Sequence, residues 1–237
     1  MKTVCVLQHV EAEYLGLMED HLEGRGIRFR YFRPFTAGGG VPKSSFGFDG
    51  LIVLGAGPLG IVSGHLVPSL APELRLAKDF IDKGLPVIGI GFGAILVAVA
   101  AGGGADEAPL RFNIDMAIRC PESSTKADFP ERFAMVSYLR DSPVLPDEAV
   151  TLAEFEDGTP AVFTIGKKVL GFLGHPGMKS GIIEDLVIEF AESPDDTAQK
   201  LRELRRIQAE IAGTLSTIMR FIISWTGWMT DKRSDQD

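Results

Sequence analysis

Pro86-Val87-Ile88-Gly89-Ile90-Gly91-Phe92-Gly93-Ala94-Ile95-Leu96 is the stretch that decides the architecture. Pro86–Ile90 is a short apolar run, which suits a strand buried on both faces. Ala94–Ala101 reads as a buried helix. Between them lies a strand-to-helix turn hedged by glycines. In such an elbow the central residue is held in a strained backbone conformation above the sheet, and its neighbours must lack side chains to fit. Backbone N–H groups at the helix start then face any oxyanion formed there. The central residue here is Gly91, which has no side chain to attack anything.

Working outward, the chain carries no charge between Lys83 and Asp106, nominally enough to cross a bilayer. Pro86 and a cluster of glycines interrupt that span, and a lipid-facing helix must satisfy its own backbone hydrogen bonds. A buried strand, turn and helix are expected instead, with no membrane partner. Upstream, Thr3–Gln8, Ile27–Phe32 and Leu51–Leu54 read as strands, and Leu15–Gly24 as a helix. Pro34–Ser45 is a loop, and the third strand breaks at Gly55-Ala56-Gly57-Pro58. Pro72–Lys83 is expected as a helix opened by its proline and stopped by Gly84. Strands alternating with helices imply βαβ units and a mostly parallel sheet. After about residue 110 the pattern changes. Val150–Phe155, Ala161–Ile165 and Val169–Leu173 are short runs separated by turn signals, which suggests antiparallel hairpins. Helix resumes at Gly181–Phe190. The fold class is α/β: a mixed, mostly parallel sheet flanked by helices, with an antiparallel hairpin region and a long C-terminal helix.

Residues 1–192 are expected to form the domain, 193–229 a helical extension and 230–237 a disordered tail. Ser193 is the expected N-cap, with Pro194 at the first helical position and Asp195 and Asp196 facing the positive dipole end. From Leu201 to Trp225 apolar residues recur at spacings of three and four. Gly213 interrupts the polar face, and Gly227 is the expected stop, giving a helix of about 33 residues or about 50 Å. Its distal end is the most apolar part: Phe221, Ile222, Ile223, Trp225, Trp228, Met229. Left in water, that cluster would be an unusually large exposed patch, which points to a homodimer or a partner protein packed on the helix.

Four stretches together resemble class I glutamine amidotransferase domains, over roughly Lys2 to Asp185. The elbow resembles the family's Gly-x-Cys-x-Gly-x-Gln pattern. Leu7-Gln8-His9, with Glu13 and Gly16 downstream, resembles the opening strand and turn. Gly55-Ala56-Gly57-Pro58 resembles the Gly-Gly-Pro turn that supplies an oxyanion-hole N–H. Gly171-Phe172-Leu173-Gly174-His175-Pro176-Gly177 resembles the segment carrying the catalytic histidine and glutamate. The resemblance implies a flavodoxin-like amidotransferase fold, with Gly55, Gly57, Gly91, Phe92 and Ile95 around an oxyanion or ligand site. The departures imply lost chemistry. Gly91 stands where the family has its nucleophilic cysteine, Ile95 where it has the substrate-holding glutamine, and Gly177 where it has the triad glutamate. Of the three catalytic side chains only His175 remains. Without a thiolate there is no acyl-enzyme.

The expectation is therefore a glutamine amidotransferase-like protein without glutaminase activity, serving as a subunit or a small-molecule-binding protein. Two alternatives stay open. His175 is a general base in an enzyme of another kind, or the turns Gly55-x-Gly57-x-x-Gly60 and Gly89-x-Gly91-x-x-Ala94 cradle a nucleotide phosphate. His9, ending the first strand, reads as a solvated loop residue or one facing a ligand; His21 and His65 read as surface. The chain has 237 residues with 45% apolar and 24% charged, the balance of a soluble globular protein. A net charge of −8 argues against a nucleic-acid footprint. Cys5 and Cys120 make no scaffold or metal motif and read as small buried residues. No cofactor or metal is expected. The start is too briefly apolar for a signal peptide, which suggests the cytoplasm.

Overall fold

A computed structural model describes residues 1–121 and 129–229, so the expected tail at 230–237 lies outside the described residues. Five parallel strands form one half of a nine-stranded mixed sheet: β1 (Thr3–Leu7), β2 (Arg28–Phe32), β3 (Gly50–Val53), β4 (Val87–Ile90) and β11 (Val169–Phe172), in the order β2-β1-β3-β4-β11 from the edge inward. The inner runs are apolar throughout because both of their faces are covered. Cys5, Leu7, Leu51, Val53 and Val87 pack under α2 (Leu70–Asp82) and α3 (Phe92–Ala100). The alternate residues Val4, Val6, Ile52 and Ile88 pack against α1 (Met18–Glu23) and α5 (Thr197–Thr226) on the other face. Ile182 and Leu186 of α4 (Ser180–Glu189) share a third cluster with Leu204 and Ile211 of α5.

Beyond β11 the sheet continues antiparallel through β10 (Pro160–Ile165), β9 (Ala149–Glu154), β6 (Arg111–Arg119) and β7 (Arg132–Leu139). β6 pairs with β9 only at Ile118 and Arg119, so the two strands part along the rest of β6. β7 meets the chain that follows β11: the His175 N–H donates to Val136 O at 2.7 Å. The antiparallel half thus curls back upon the parallel half. Sequence reading assigns no strand to β6 or β7. β6 alternates Phe112, Ile114, Met116 and Ile118 with Arg111, Asn113 and Asp115, a period-two signal that the sequence reading passes over. A separate pair, β5 (Gly104–Asp106) and β8 (Ser142–Val144), lies beside α3.

Several expected helix boundaries shift. α1 begins at Met18 rather than Leu15, because Gly16 takes φ +61° and cannot lie in a right-handed helix. α2 begins at Leu70, which puts Pro72 inside the first turn, where its missing N–H leaves nothing unsatisfied. α5 is capped at Asp196, not Ser193. Pro194 instead belongs to a turn in which Thr197 donates both its N–H and its hydroxyl to Pro194 O. The stop at Gly227 holds, with φ +69° and its N–H donated to Ile223 O and Ser224 O.

At 30 residues α5 spans about 45 Å, and it belongs to the core rather than extending from it. Leu215, Ile218, Met219, Phe221, Ile222 and Ile223 are buried in the main cluster, and the Phe221 and Phe129 rings meet edge-on at 5.0 Å. Trp228 is buried too; its Nε1–H donates to Asp49 O at 3.2 Å, and its ring covers Gly50. The exposed distal patch expected to call for a partner on this helix is absent among the described residues. Met229 alone of that cluster is largely exposed, and Trp225 is partly buried. The physical reason is that the sheet's α1 face needs cover over its whole width, and the stripe provides it.

Candidate functional site

Gly91, between β4 and α3, takes φ +57° and ψ −120°. That is a region open to glycine and strained for other residues. The flanking glycines are fixed by contact. A Cβ on Gly89 would lie 2.6 Å from Ala94 Cα, and one on Gly93 2.5 Å from Val53 C and closer still to its oxygen. A Cβ on Gly91 would meet only Gly55 Cα, at 3.8 Å, an ordinary contact. The turn therefore has room for a side chain at its centre and carries none.

Over this turn sits the loop after β3. Gly57 takes φ +57° and donates its N–H to Glu13 Oε2, and the Glu13 carboxylate lies directly against Gly55. An N–H of the type that would stabilise an oxyanion is thus already held by a carboxylate. Glu13 is buried, and desolvation lifts its pKa to about 7 against the opposing pull of the Gly57 N–H and the His9 charge. His9 is buried beside it, contrary to its reading as a solvated loop residue. Its Nδ1 lies 2.8 Å from Gly55 O and its Nε2 2.7 Å from Glu73 Oε2. Both ring nitrogens face acceptor oxygens, an arrangement that favours the doubly protonated ring. Burial would depress its pKa, but Glu73, the Gly55 carbonyl and Glu13 together raise it. The Ser69 hydroxyl donates to the other Glu73 oxygen at 2.5 Å. Phe92 is buried with its ring edge-on to His9 at 5.0 Å, and Ile95 is buried in the α2–α3 cluster.

His175 is anchored elsewhere. Its Nε2–H donates to Tyr14 O at 2.9 Å and its Nδ1 accepts the Gly177 N–H at 3.1 Å, which fixes a neutral ring. Desolvation pushes its pKa down to about 4. Both nitrogens are committed to backbone, so the ring has no free lone pair to act as a base. Gly177 packs on the start of α1, where a Cβ would lie 3.0 Å from Met18 Cγ and 3.2 Å from Met18 N. The structure brings Gly55, Gly57, Gly91 and Phe92 together. Among the described residues no hydrogen bond or ring contact ties His175 to them.

Sequence reading misses Glu73 and Asp141, and gives Glu13 no role. Glu73 had a signal: it lies on the buried stripe of α2 with Leu76, Ala77 and Phe80, where an unpartnered carboxylate is costly. Asp141 is buried at φ +65° and accepts the N–H groups of Ile61, Val62 and Ser63. Burial opposes its ionisation, but the Ser63 hydroxyl and these three amides hold its pKa below the usual carboxylate value. With Glu13 on Gly57 and Asp141 on the next turn, the amides of a phosphate cradle after β3 are already used. Cys5 is buried, with its thiol pushed up to about 12 by desolvation against the Arg30 charge. Cys120 is only partly buried, a correction to its reading as a core residue. Among the described residues no group of three or more His, Cys, Asp or Glu side chains could hold a metal, and no helix is long and apolar enough to cross a membrane.

The fold has solved counterparts. A glutamine amidotransferase from Thermotoga maritima is similar at a TM-score of 0.78 and 20% identity, over 95% of this chain and 98% of that one. A glutamine amido transferase from Methylobacillus flagellatus is similar at 0.79 and 19%, over 100% and 99%. A putative GMP synthase subunit from Thermoplasma acidophilum is similar at 0.59 and 18%, over 89% and 98%. No protein-family model and no curated protein matches the sequence. The fold is that of the class I glutamine amidotransferase-like domains.

Proposed function

We propose that this chain is a class I glutamine amidotransferase-like protein without glutaminase chemistry, working in the cytoplasm as a subunit or a small-molecule-binding protein. The observation that carries the reading is Gly91: an elbow with space for a nucleophile and no atom to serve as one. Three further features support it. The Gly57 N–H is bound by Glu13, the His175 nitrogens are bound by backbone, and Gly177 replaces an orienting carboxylate. A role within a larger assembly is in keeping with the Thermoplasma protein, which is described as part of a synthase. A homodimer is one form such an assembly takes, but the distal end of α5 does not argue for it. Neither the general-base reading of His175 nor the nucleotide reading gains an observation in its favour.

The test is direct. Purified protein should release no glutamate or ammonia from glutamine above buffer background, and a glutamine-analogue electrophile should label neither Cys5 nor Cys120. Turnover that survives repurification would overturn the proposal.

A further inference from the structure

Where β6 parts from β9 the protein holds a cavity of about 590 Å³. That lies within the range of small-molecule sites. Its walls are β6, the end of β7 and the turn that joins β9 to β10; Gly55, Gly91, Phe92 and His175 take no part in it. It is a second site, and its chemistry is independent of the elbow.

The wall supplied by β6 is electrically divided. Arg111, Asn113 and Asp115 alternate onto one face, opposite Leu139, Ser137 and Met135 of β7. At one end Arg111 uses only Nη2, donating to Asp141 O at 2.8 Å and to Ser142 Oγ at 3.3 Å. Among the described residues no group takes its Nε or Nη1; the Asp141 charge acts on it, but no carboxylate lies within ion-pair distance. At the other end Asp115 makes no hydrogen bond or ion pair among the described residues. Burial raises its pKa; the Lys200 charge opposes this, and the Asp157, Glu156 and Glu203 charges add to it. Lys200 is itself committed to Asp196, Phe112 O and the Asn113 side chain. Between the two ends, Ser137 is only 5% exposed, lines the cavity, and finds no partner for its hydroxyl among the described residues. Phe155, Leu139 and Leu173 give the cavity an apolar side.

A free guanidinium edge at one end and a bare carboxylate at the other call for a ligand carrying the opposite charges in the opposite order. They stand four residue steps apart on the strand, about 13 Å between Cα atoms. A free amino acid, with ammonium and carboxylate on one carbon, is short for groups placed so far apart, whereas two extended residues reach about 7 Å. We propose that this cavity binds a zwitterionic dipeptide, with its carboxylate on Arg111, its ammonium on Asp115 and its peptide group near Asn113 and Ser137.

The test is calorimetric titration of the full chain with alanyl-phenylalanine, whose ring suits the apolar side. Its N-acetylated form, its C-terminal amide and free alanine are titrated in parallel. The free dipeptide is expected to bind, with at least tenfold losses for either capped form and for alanine. Arg111→Gln should weaken the free dipeptide at least tenfold and abolish discrimination against the amide. Asp115→Asn should do the same for the acetylated form. Failure of the dipeptide to bind at millimolar concentration overturns the proposal, as does binding indifferent to both caps. The capped ligands decide the matter on the unmodified protein even if a variant fails to fold.

Discussion

The elbow lends itself to a comparison of two glycines two residues apart. Alanine at Gly91 meets no steric obstacle, since its Cβ would lie 3.8 Å from the nearest atom, but it must accept φ +57°. Such strain is worth about 1–3 kcal/mol, offset by about 0.4–1 kcal/mol from the reduced freedom of the unfolded chain. A net loss of about 1–2 kcal/mol lowers Tm by about 2–8 °C in a protein of this size. Alanine at Gly93 is the reverse case. Its backbone is helical, so propensity alone would stabilise the protein by about 1 kcal/mol. Its Cβ, however, would drive into the Val53 carbonyl on β3, which is backbone and cannot swing aside. Overpacking of this kind typically exceeds the propensity gain, at about 1–3 kcal/mol or more. Differential scanning calorimetry should therefore show both variants destabilised, Gly93→Ala the more so. A raised Tm for Gly93→Ala would mean that α3 and β3 are not in the described contact. An unchanged or raised Tm for Gly91→Ala would mean that position 91 has ordinary backbone angles.

Three other outcomes are expected, and a fourth concerns the C-terminal helix. Gly91→Cys should not create an efficient glutaminase by ammonia-release assay, because Glu13 holds the Gly57 N–H and nothing orients His175 towards the elbow. Glu13 has a folded pKa near 7 against an ordinary 4.5, so its contribution to stability is fully present below pH 4.5 and lost as pH rises towards 7. Glu13→Gln should remove that loss, so the Tm difference between variant and wild type should grow across this window; parallel curves would refute the assignment. Glu73→Gln leaves the buried His9 imidazolium without its counter-charge and should lower stability by about 3–5 kcal/mol in urea titrations. Truncation after Pro194 strips α5 from the main core and should yield an aggregating chain by light scattering rather than a monomeric domain.

The parallel half of the fold is legible because its strands are buried on both faces, and a run such as Leu51–Leu54 can be little else. Gly227 is legible as a helix stop because its left-handed angle is a local demand. The antiparallel half is harder: β6 alternates apolar and polar residues as a strand should, but its pairing with β7 and β9 is tertiary and no local spacing states it. Helix starts depart from the sequence reading where the backbone takes another turn, as at Gly16 with φ +61° before α1 and at Pro194, whose carbonyl accepts from Thr197 before α5. The polar cluster around the elbow illustrates the deeper difficulty. His9 and Glu13 are near neighbours in the chain, but Glu73 lies 64 residues from His9 and Gly57 lies 44 from Glu13, and only the folded β1 and β3 loops and α2 bring them together. The stripe on α5 is legible as a stripe, but its partner is not: amphipathic spacing states that a face must be covered and leaves open by what.

The docking of Trp228 onto Asp49 and Gly50 joins nearly the last described residue to the edge of one of the first strands. During synthesis at about 5–20 residues per second, β1 and β3 precede the helix that covers them by roughly 10–35 s. For that interval Val4, Val6 and Ile52 have α1 but not α5 to cover them. The nascent chain is therefore a client for whatever holds hydrophobic surfaces apart until translation nears its end, and pauses late in the message would prolong its exposure.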